Sequence, residues 1–406
     1  MTSVDHSERT VCDVLIVGAG PTGLALATML ARSGVAAVIV DKLARGQNTS
    51  RAAVIHAHTL EVLDEIGVSE RLAREGLRLA RFSLRDRDRV LLRLRFDALP
   101  TPHNYLLMLP QDATERILAE ALVEAGGAVR WGCTVASLAE TPQGVRASVA
   151  SSDGRGEIEA RFVVGADGMH SLVRQVAGIA FAGGSYEESF VLADVEMAWN
   201  HPEEVTLFFS PAGVLVVAPL PGSAYRIVAT LDDAPERPGV ADVQALLDAR
   251  GPHAPGRVSK VRWSSRFRVH HRLAERYRSG RFFLMGDAAH VHSPAGGQGM
   301  NTGLVDAVVL GRLLRDVLTG RADEGDLTRY ESLRRPAARQ VLQLAGLLMH
   351  LAIIEGAPRR ALRNVALRTL GLSPVFRRRL AMDFSGLSRR AAALSASETA
   401  RPGRVS

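Results

Sequence analysis

Six residues near the start of the chain, Gly18-Ala19-Gly20-Pro21-Thr22-Gly23, form a G-x-G-x-x-G run. Glycine at Gly18 permits a tight turn, at Gly20 it lets a pyrophosphate approach the backbone, and at Gly23 it lets a helix pack closely on a strand. The helix N-terminus that follows offers N–H groups and a positive dipole end to an anion. Twenty-three positions after Gly18 stands Asp41, an acceptor suited to ribose hydroxyls. A second group, Asp167-Gly168, follows the apolar run 162–164 and precedes a helix start, with Ser171 as its cap. Alone it reads as an ordinary turn. A third group is Gly286-Asp287-Ala288-Ala289-His290, followed by Pro294-Ala295-Gly296-Gly297-Gln298-Gly299-Met300-Asn301. The Asp287 carboxylate at a strand end suits a polyol chain. Small residues from Ala295 to Gly299 let the backbone lie against a flat ligand, with helix N–H groups aimed at its electron-rich edge.

Competing chemistries fit these residues poorly. His290 and His292 are two apart and His270-His271 adjacent, a pattern read as local packing, so no metal site is expected. Asp287, His290 and Ser293 crowd one loop too closely for a hydrolase triad, and no G-x-S-x-G elbow exists.

The elements that must position these groups are legible from hydrophobic pattern. Residues 11–17 and 35–40 read as buried parallel strands around a helix, one βαβ unit. Helical periodicity returns over 58–66 and 112–125, with short strands near 128–131, 145–150 and 160–164. From 178 to 270, short strands between Pro/Gly turns predict an antiparallel sheet. A strand over 281–285, a long helix from Asn301 and helices from 327 to 380 complete the pattern. The fold class is α/β: a Rossmann-like domain (residues 1–177 and 276–345) interleaved with an antiparallel-sheet substrate domain (178–275) and a basic helical C-terminal segment (346–406).

Composition narrows the function. The chain has 406 residues and a formal net charge of +7. Residues 351–406 hold eleven arginines against Glu355, Asp383 and Glu398, a net of +8, so the remainder is near neutral. Among these arginines stand only two aromatic residues, Phe376 and Phe384, and they do not interleave the clusters as a stacking platform would need, which argues against nucleic-acid binding. Two distant cysteines exclude a disulfide framework. The apolar stretch 341–354, broken by Gln343 and His350, falls short of a membrane span, and the N-terminus lacks a secretory pattern. The expected location is cytoplasmic.

The three glycine-rich groups, in this order and spacing, resemble the class A FAD-dependent aromatic hydroxylases, the para-hydroxybenzoate hydroxylase-like flavoprotein monooxygenases. The match runs over about residues 11–336, and GRFFLMGDAAHVHSPAGGQGMNTGLVDA is its most specific stretch. It is most similar to the actinomycete branch acting on aromatic polyketides and phenolic antibiotics. The resemblance implies that Gly18, Gly20, Pro21, Thr22 and Gly23 hold the pyrophosphate of FAD, and that Asp41 and Lys42 lie at the adenosine ribose. It places Val135 at the adenine, Gln111 on the cofactor, and Asp167 and Gly168 at both FAD and NAD(P)H. Asp287 falls to the ribitol, and Pro294, Gly297, Gly299, Met300 and Asn301 lie along the isoalloxazine. Arg51 matches an arginine beside the mobile flavin, where it supplies positive charge to the pyrimidine side or to NAD(P)H, and is the one candidate catalytic side chain. Asp41 replaces a more usual glutamate, and His58 stands where many relatives carry arginine. The thioredoxin-like domain that many relatives carry beyond a segment like Ser385-Gly386-Leu387 is not expected here.

With one dinucleotide fingerprint, NADH or NADPH is expected to visit transiently. The implied reaction uses O₂ and a flavin C4a-hydroperoxide to hydroxylate a small aromatic or phenolic substrate, the protein providing orientation, electrostatics and dryness. Preorganised donors of the Gly297–Asn301 kind are worth about 3 kcal/mol in comparable oxyanion sites. Phe209, Val216, Tyr225 and Trp263 are candidate wall residues, Met349 and His350 could face the pocket or pack, and no protein base is identifiable. Two alternatives stay open: a Baeyer–Villiger oxygenase or FAD-dependent reductase on the same fold, and a flavoprotein that only sequesters an aromatic ligand. The W-x-W-x-I-P signature of flavin halogenases is absent. Oligomeric state is undetermined.

Overall fold

The computed structural model describes residues 9–44, 52–152, 154–231, 234–294, 296–352, 354–391 and 393. Arg51 lies outside the described residues, as does Ala295.

The β-branched run Arg9–Val17 is the central strand of the first sheet. Gly154–Gly165 lies parallel on one side of it, followed by Phe282–Leu284; Ala37–Asp41 and then Val129–Trp131 lie on the other. The register matters more than the order. Val17 pairs with Gly165 and Val40, and Gly165 pairs with Leu284, so four strands end in one row. Backbone bonds knit that row together: Gly18 N–H donates to the Val40 carbonyl (2.8 Å), Ala166 to Val17 (2.8 Å) and Met285 to Gly165 (3.0 Å). All three glycine-rich groups therefore emerge at the carboxyl edge of one parallel sheet, where ligands of open α/β folds bind.

The second sheet has eight strands: His290–Val291, Val258–Ala274, Phe181–Met197, Ala224–Thr230, Gly213–Leu220, Glu204–Ser210, Arg81–Asp86 and Arg89–Arg95. It reaches beyond the interval 178–275. The hairpin 81–95 extends it, with Arg81–Asp86 parallel to Glu204–Ser210. One apolar cluster fills the parallel-sheet body, and another lies between the hairpin, the sheet and the C-terminal helices.

The helix Pro21–Arg32 starts with proline in its first turn, where the missing N–H costs nothing. The helix Gly299–Leu318 runs through the core, buried over most of its length from Asn301 to Val317. Helices Thr328–Ala352, Ala357–Leu372 and Pro374–Phe384 follow. They carry Leu348, Met349, Ala352 and Phe384 to the wall of a large cavity.

Candidate functional site

A cavity of about 1040 Å³ opens along the row of strand ends and continues under the second sheet. Gly18, Gly20, Pro21, Thr22, Asp41, Lys42, Gln111, Val135, Asp167, Gly168, Asp287, Pro294, Gly297, Gly299 and Met300 all line it. Two expected residues stand behind the lining instead. A side chain on Gly23 would strike the Gly18 carbonyl, so this glycine sets the helix against the turn. Asn301 braces the loop: its Nδ2 donates to the carbonyls of Val54 and Gly297 (2.8 Å each), and its Oδ1 accepts from His56 N–H (2.8 Å).

The first end of the cavity is built from backbone donors and two carboxylates, Asp41 and Asp167. Gly18 has φ +104, and a Cβ there would strike the Ala166 carbonyl. Gly20 caps the 21–32 helix without a side-chain hydrogen bond. Asp41 accepts from the N–H groups of Ala19 (2.7 Å) and Leu43 (2.8 Å), which fixes its carboxylate beside the turn. Asp167 Oδ2 accepts from Leu172 (2.7 Å) and Val173 (3.2 Å), while its buried Oδ1 has no protein partner; burial raises its pKa. Ser171 caps the same short helix through Arg174 N–H (3.0 Å).

Gln111 Oε1 accepts from Ala52 N–H (3.1 Å), and Arg226 donates to the Ala52 carbonyl (2.7 Å), so the residue following Arg51 is pinned from two sides. Arg226 is itself held by Asp194 through two 2.7 Å bonds.

The loop 296–301 is bound from behind. His56 donates through Nε2 to the Gly296 carbonyl (3.0 Å), leaving Nδ1 buried without a partner. Burial drives His56 down to about 4, so it is neutral at pH 7. Gln298, 2% exposed, donates through Nε2 to the carbonyl of Phe384 (2.9 Å). Gly297 has φ +62, and a Cβ there would strike Val54.

His290 is buried and bonded to Asp306 (2.6 Å), which also holds Arg334 (2.7 Å). Burial alone would raise the Asp306 carboxyl, but His290 and Arg334 outweigh it and hold its pKa below the ordinary value. His292 lines the cavity. Among the described residues, no group of three or more His, Cys, Asp or Glu is placed to hold a metal. Phe209, Val216 and Met349 face the cavity; Tyr225 packs in a separate core cluster, Trp263 is not part of the lining, and His350 is exposed.

Sequence reasoning missed Asp194, His56, Asp306, Arg334 and Arg389. Asp306 carried a signal: it is a carboxylate inside the otherwise apolar helical stretch 304–310.

The donor set fits FAD. An uncapped helix start suits a pyrophosphate, Asp41 and Asp287 suit two polyols, and the orphaned Asp167 Oδ1 and His56 Nδ1 await polar partners. Residues 11–345 match the family model described as FAD binding domain. The chain belongs to this FAD-binding family. The flavoprotein is 35% identical over 347 residues to pentachlorophenol 4-monooxygenase of Sphingobium chlorophenolicum, covering 81% of this chain and 63% of the relative. It is 35% identical over 390 residues to 6-methylpretetramide 4-monooxygenase of Streptomyces rimosus, covering 92% and 69%. Among solved structures it is similar to the OxyS anhydrotetracycline hydroxylase of Streptomyces rimosus, with TM-score 0.79, 35% identity, and coverage of 93% of this chain and 76% of that one. The resemblance to aromatic hydroxylases is thus carried by whole-chain similarity as well as by motifs.

Proposed function

We propose that this flavoprotein is an NAD(P)H- and O₂-dependent monooxygenase that hydroxylates an apolar aromatic or phenolic compound of polyketide size. The observation that carries the reading is the continuity of the cavity: a polar, glycine-lined dinucleotide cradle opens directly into an apolar chamber. Phe82 and Phe384 (ring centroids 5.4 Å apart) and stacked Phe190 and Phe267 (5.7 Å) wall that chamber. Aromatic walls of this kind hold a flat ring system and exclude water from it.

FAD, when bound and reduced by NAD(P)H, supplies activated oxygen: one atom of O₂ enters the ring and the other leaves as water. Everything else belongs to the chain. Gly18, Gly20, Pro21 and Thr22 take the pyrophosphate, Asp41 and Lys42 the adenosine ribose, Val135 the adenine and Asp287 the ribitol. Pro294, Gly297, Gly299 and Met300 present backbone to the isoalloxazine, while Asn301 and His56 keep that backbone in shape. Gln111 and Arg226 hold Ala52, and Arg51, which precedes it in sequence, is the residue taken to offer positive charge. Residues 1–177 and 276–345 are assigned to the cofactor-binding part in this reading and 178–275, with the 81–95 hairpin, to the substrate sheet; of the segment 346–406, Leu348, Met349, Ala352 and Phe384 close the chamber. No helix among the described residues is long and apolar enough to cross a membrane. A cytoplasmic site of action, where NAD(P)H is made, follows from the same reading.

The test is a panel of polycyclic phenols scored by stimulated NAD(P)H oxidation and by product mass under ¹⁸O₂. One labelled oxygen in a hydroxylated product supports the proposal. A ring-expanded ester would point to Baeyer–Villiger chemistry, an unlabelled reduced product to a reductase, and ligand binding without NAD(P)H consumption to sequestration.

A further inference from the structure

The segment after the last long helix touches the flavin loop through one side chain. Arg389 Nη2 donates to Gln298 Oε1 (3.0 Å). The Gln298 amide orientation is thereby settled: its oxygen faces the guanidinium, and its Nε2 faces the carbonyls of Phe384 (2.9 Å) and Gly296 (3.3 Å). Nearby, Ser385 accepts at its carbonyl from His58 N–H (3.1 Å), so residues 384–389 are stitched to both loops behind the cavity.

The charge arrangement is unusual. Arg334 behind the same helix is neutralised by Asp306 (2.7 Å). Arg389 has no carboxylate within ion-pair distance among the described residues; Asp383 offsets its charge only from beyond that distance. Burial pushes its guanidinium down to about 10, still a cation at neutral pH. Its field reaches His56 and His292, both of which line the cavity. Among the interactions described, this cation's only side-chain hydrogen bond is to Gln298, the residue that caps the 299–318 helix. Its charge therefore adds to the positive end of that helix dipole.

We propose that Arg389, acting through Gln298, is a positioning residue of the flavin site that braces the 296–301 loop and supplies positive charge favouring the reduced, negatively charged flavin ring. This rests on the FAD reading above. It assigns to the C-terminal segment a part in cofactor electrostatics, whereas the fold alone would make it a wall of the substrate chamber.

The experiment measures the midpoint potential of the bound flavin against a reference dye, together with the FAD dissociation constant, in the parent protein and in R389K, R389Q and R389M. R389K keeps the charge, R389Q keeps a donor for Gln298 without charge, and R389M keeps neither. The expected result is a parent-like potential in R389K. In R389Q and R389M the reduced-to-oxidised equilibrium falls about tenfold, or about 30 mV for a two-electron couple. A purely structural role would weaken FAD binding in R389M while leaving the R389Q potential unchanged, and that result overturns the proposal. Should the uncharged variants fail to fold, Ser388→Asp at an exposed neighbouring position and Asp383→Asn decide instead. The first must lower the potential and the second raise it, and unchanged potentials in both overturn the proposal. A parent protein that takes up no FAD sinks the functional reading itself; a yellow parent with unshifted variants sinks only the role of Arg389.

Discussion

His290 Nε2 lies 2.6 Å from Asp306 Oδ2, and neither side chain has any exposed surface. His290 ends the strand-loop that carries Asp287, while Asp306 sits in the second turn of the 299–318 helix, so this bond locks the Asp287 side of the cavity to that helix. Arg334, from a third element, completes the cluster.

Asp306→Asn leaves the Arg334 cation without its partner in the core, and removing one member of a buried pair costs about 3–5 kcal/mol. Urea denaturation of the purified variant should show a loss of that size, with FAD released at lower denaturant than from the parent. A loss under 1 kcal/mol would show that the cluster does not hold the two elements together.

His56 gives the stability a defined pH dependence. Its pKa falls from 6.5 in the unfolded chain to about 4 in the folded one. The unfolded state therefore binds the proton first, and stability contributed by neutral His56 is present above pH 6.5 and lost as pH falls toward 4. The full loss is roughly 3 kcal/mol. His56→Gln should flatten the stability curve between those pH values, as read by denaturation at a series of pH values; an unchanged slope would remove His56 from the account.

Asp287→Ala removes a charged acceptor from the cavity lining. A hydrogen bond to a charged group is worth about 1.5–3 kcal/mol, so FAD binding should weaken roughly tenfold or more. Fluorescence titration of the apoprotein measures it directly. A variant that purifies yellow with full occupancy contradicts the placement of the ribitol.

Val216→Phe fills part of the apolar chamber from the middle of the second sheet. Flavin content should remain that of the parent, while kcat/KM for polycyclic phenols falls at least tenfold and that for single-ring phenols changes less. Equal effects on both sizes would mean that Val216 does not bound the substrate.

What the chain by itself determined is everything that depends on residues close together in sequence. Gly18 to Gly23 and Asp41 belong to one βαβ unit, and Asp287 to Asn301 to one strand-loop-helix, so the chemistry of each can be worked out from spacing, strand ends and helix starts. The rest came from folding. Arg389 meets Gln298 across 91 positions, Arg226 meets Asp194 across 32, and Arg334 meets Asp306 across 28. Residues 81–95 join a sheet whose neighbouring strand begins at Glu204. Long-range pairs like these are set by which apolar faces bury against one another, and no local pattern of side chains encodes that choice. Local spacing thus made the cofactor cradle legible, while the apolar chamber, its bracing ion pairs and the cation behind the flavin loop exist only because tertiary packing brings distant segments to one wall.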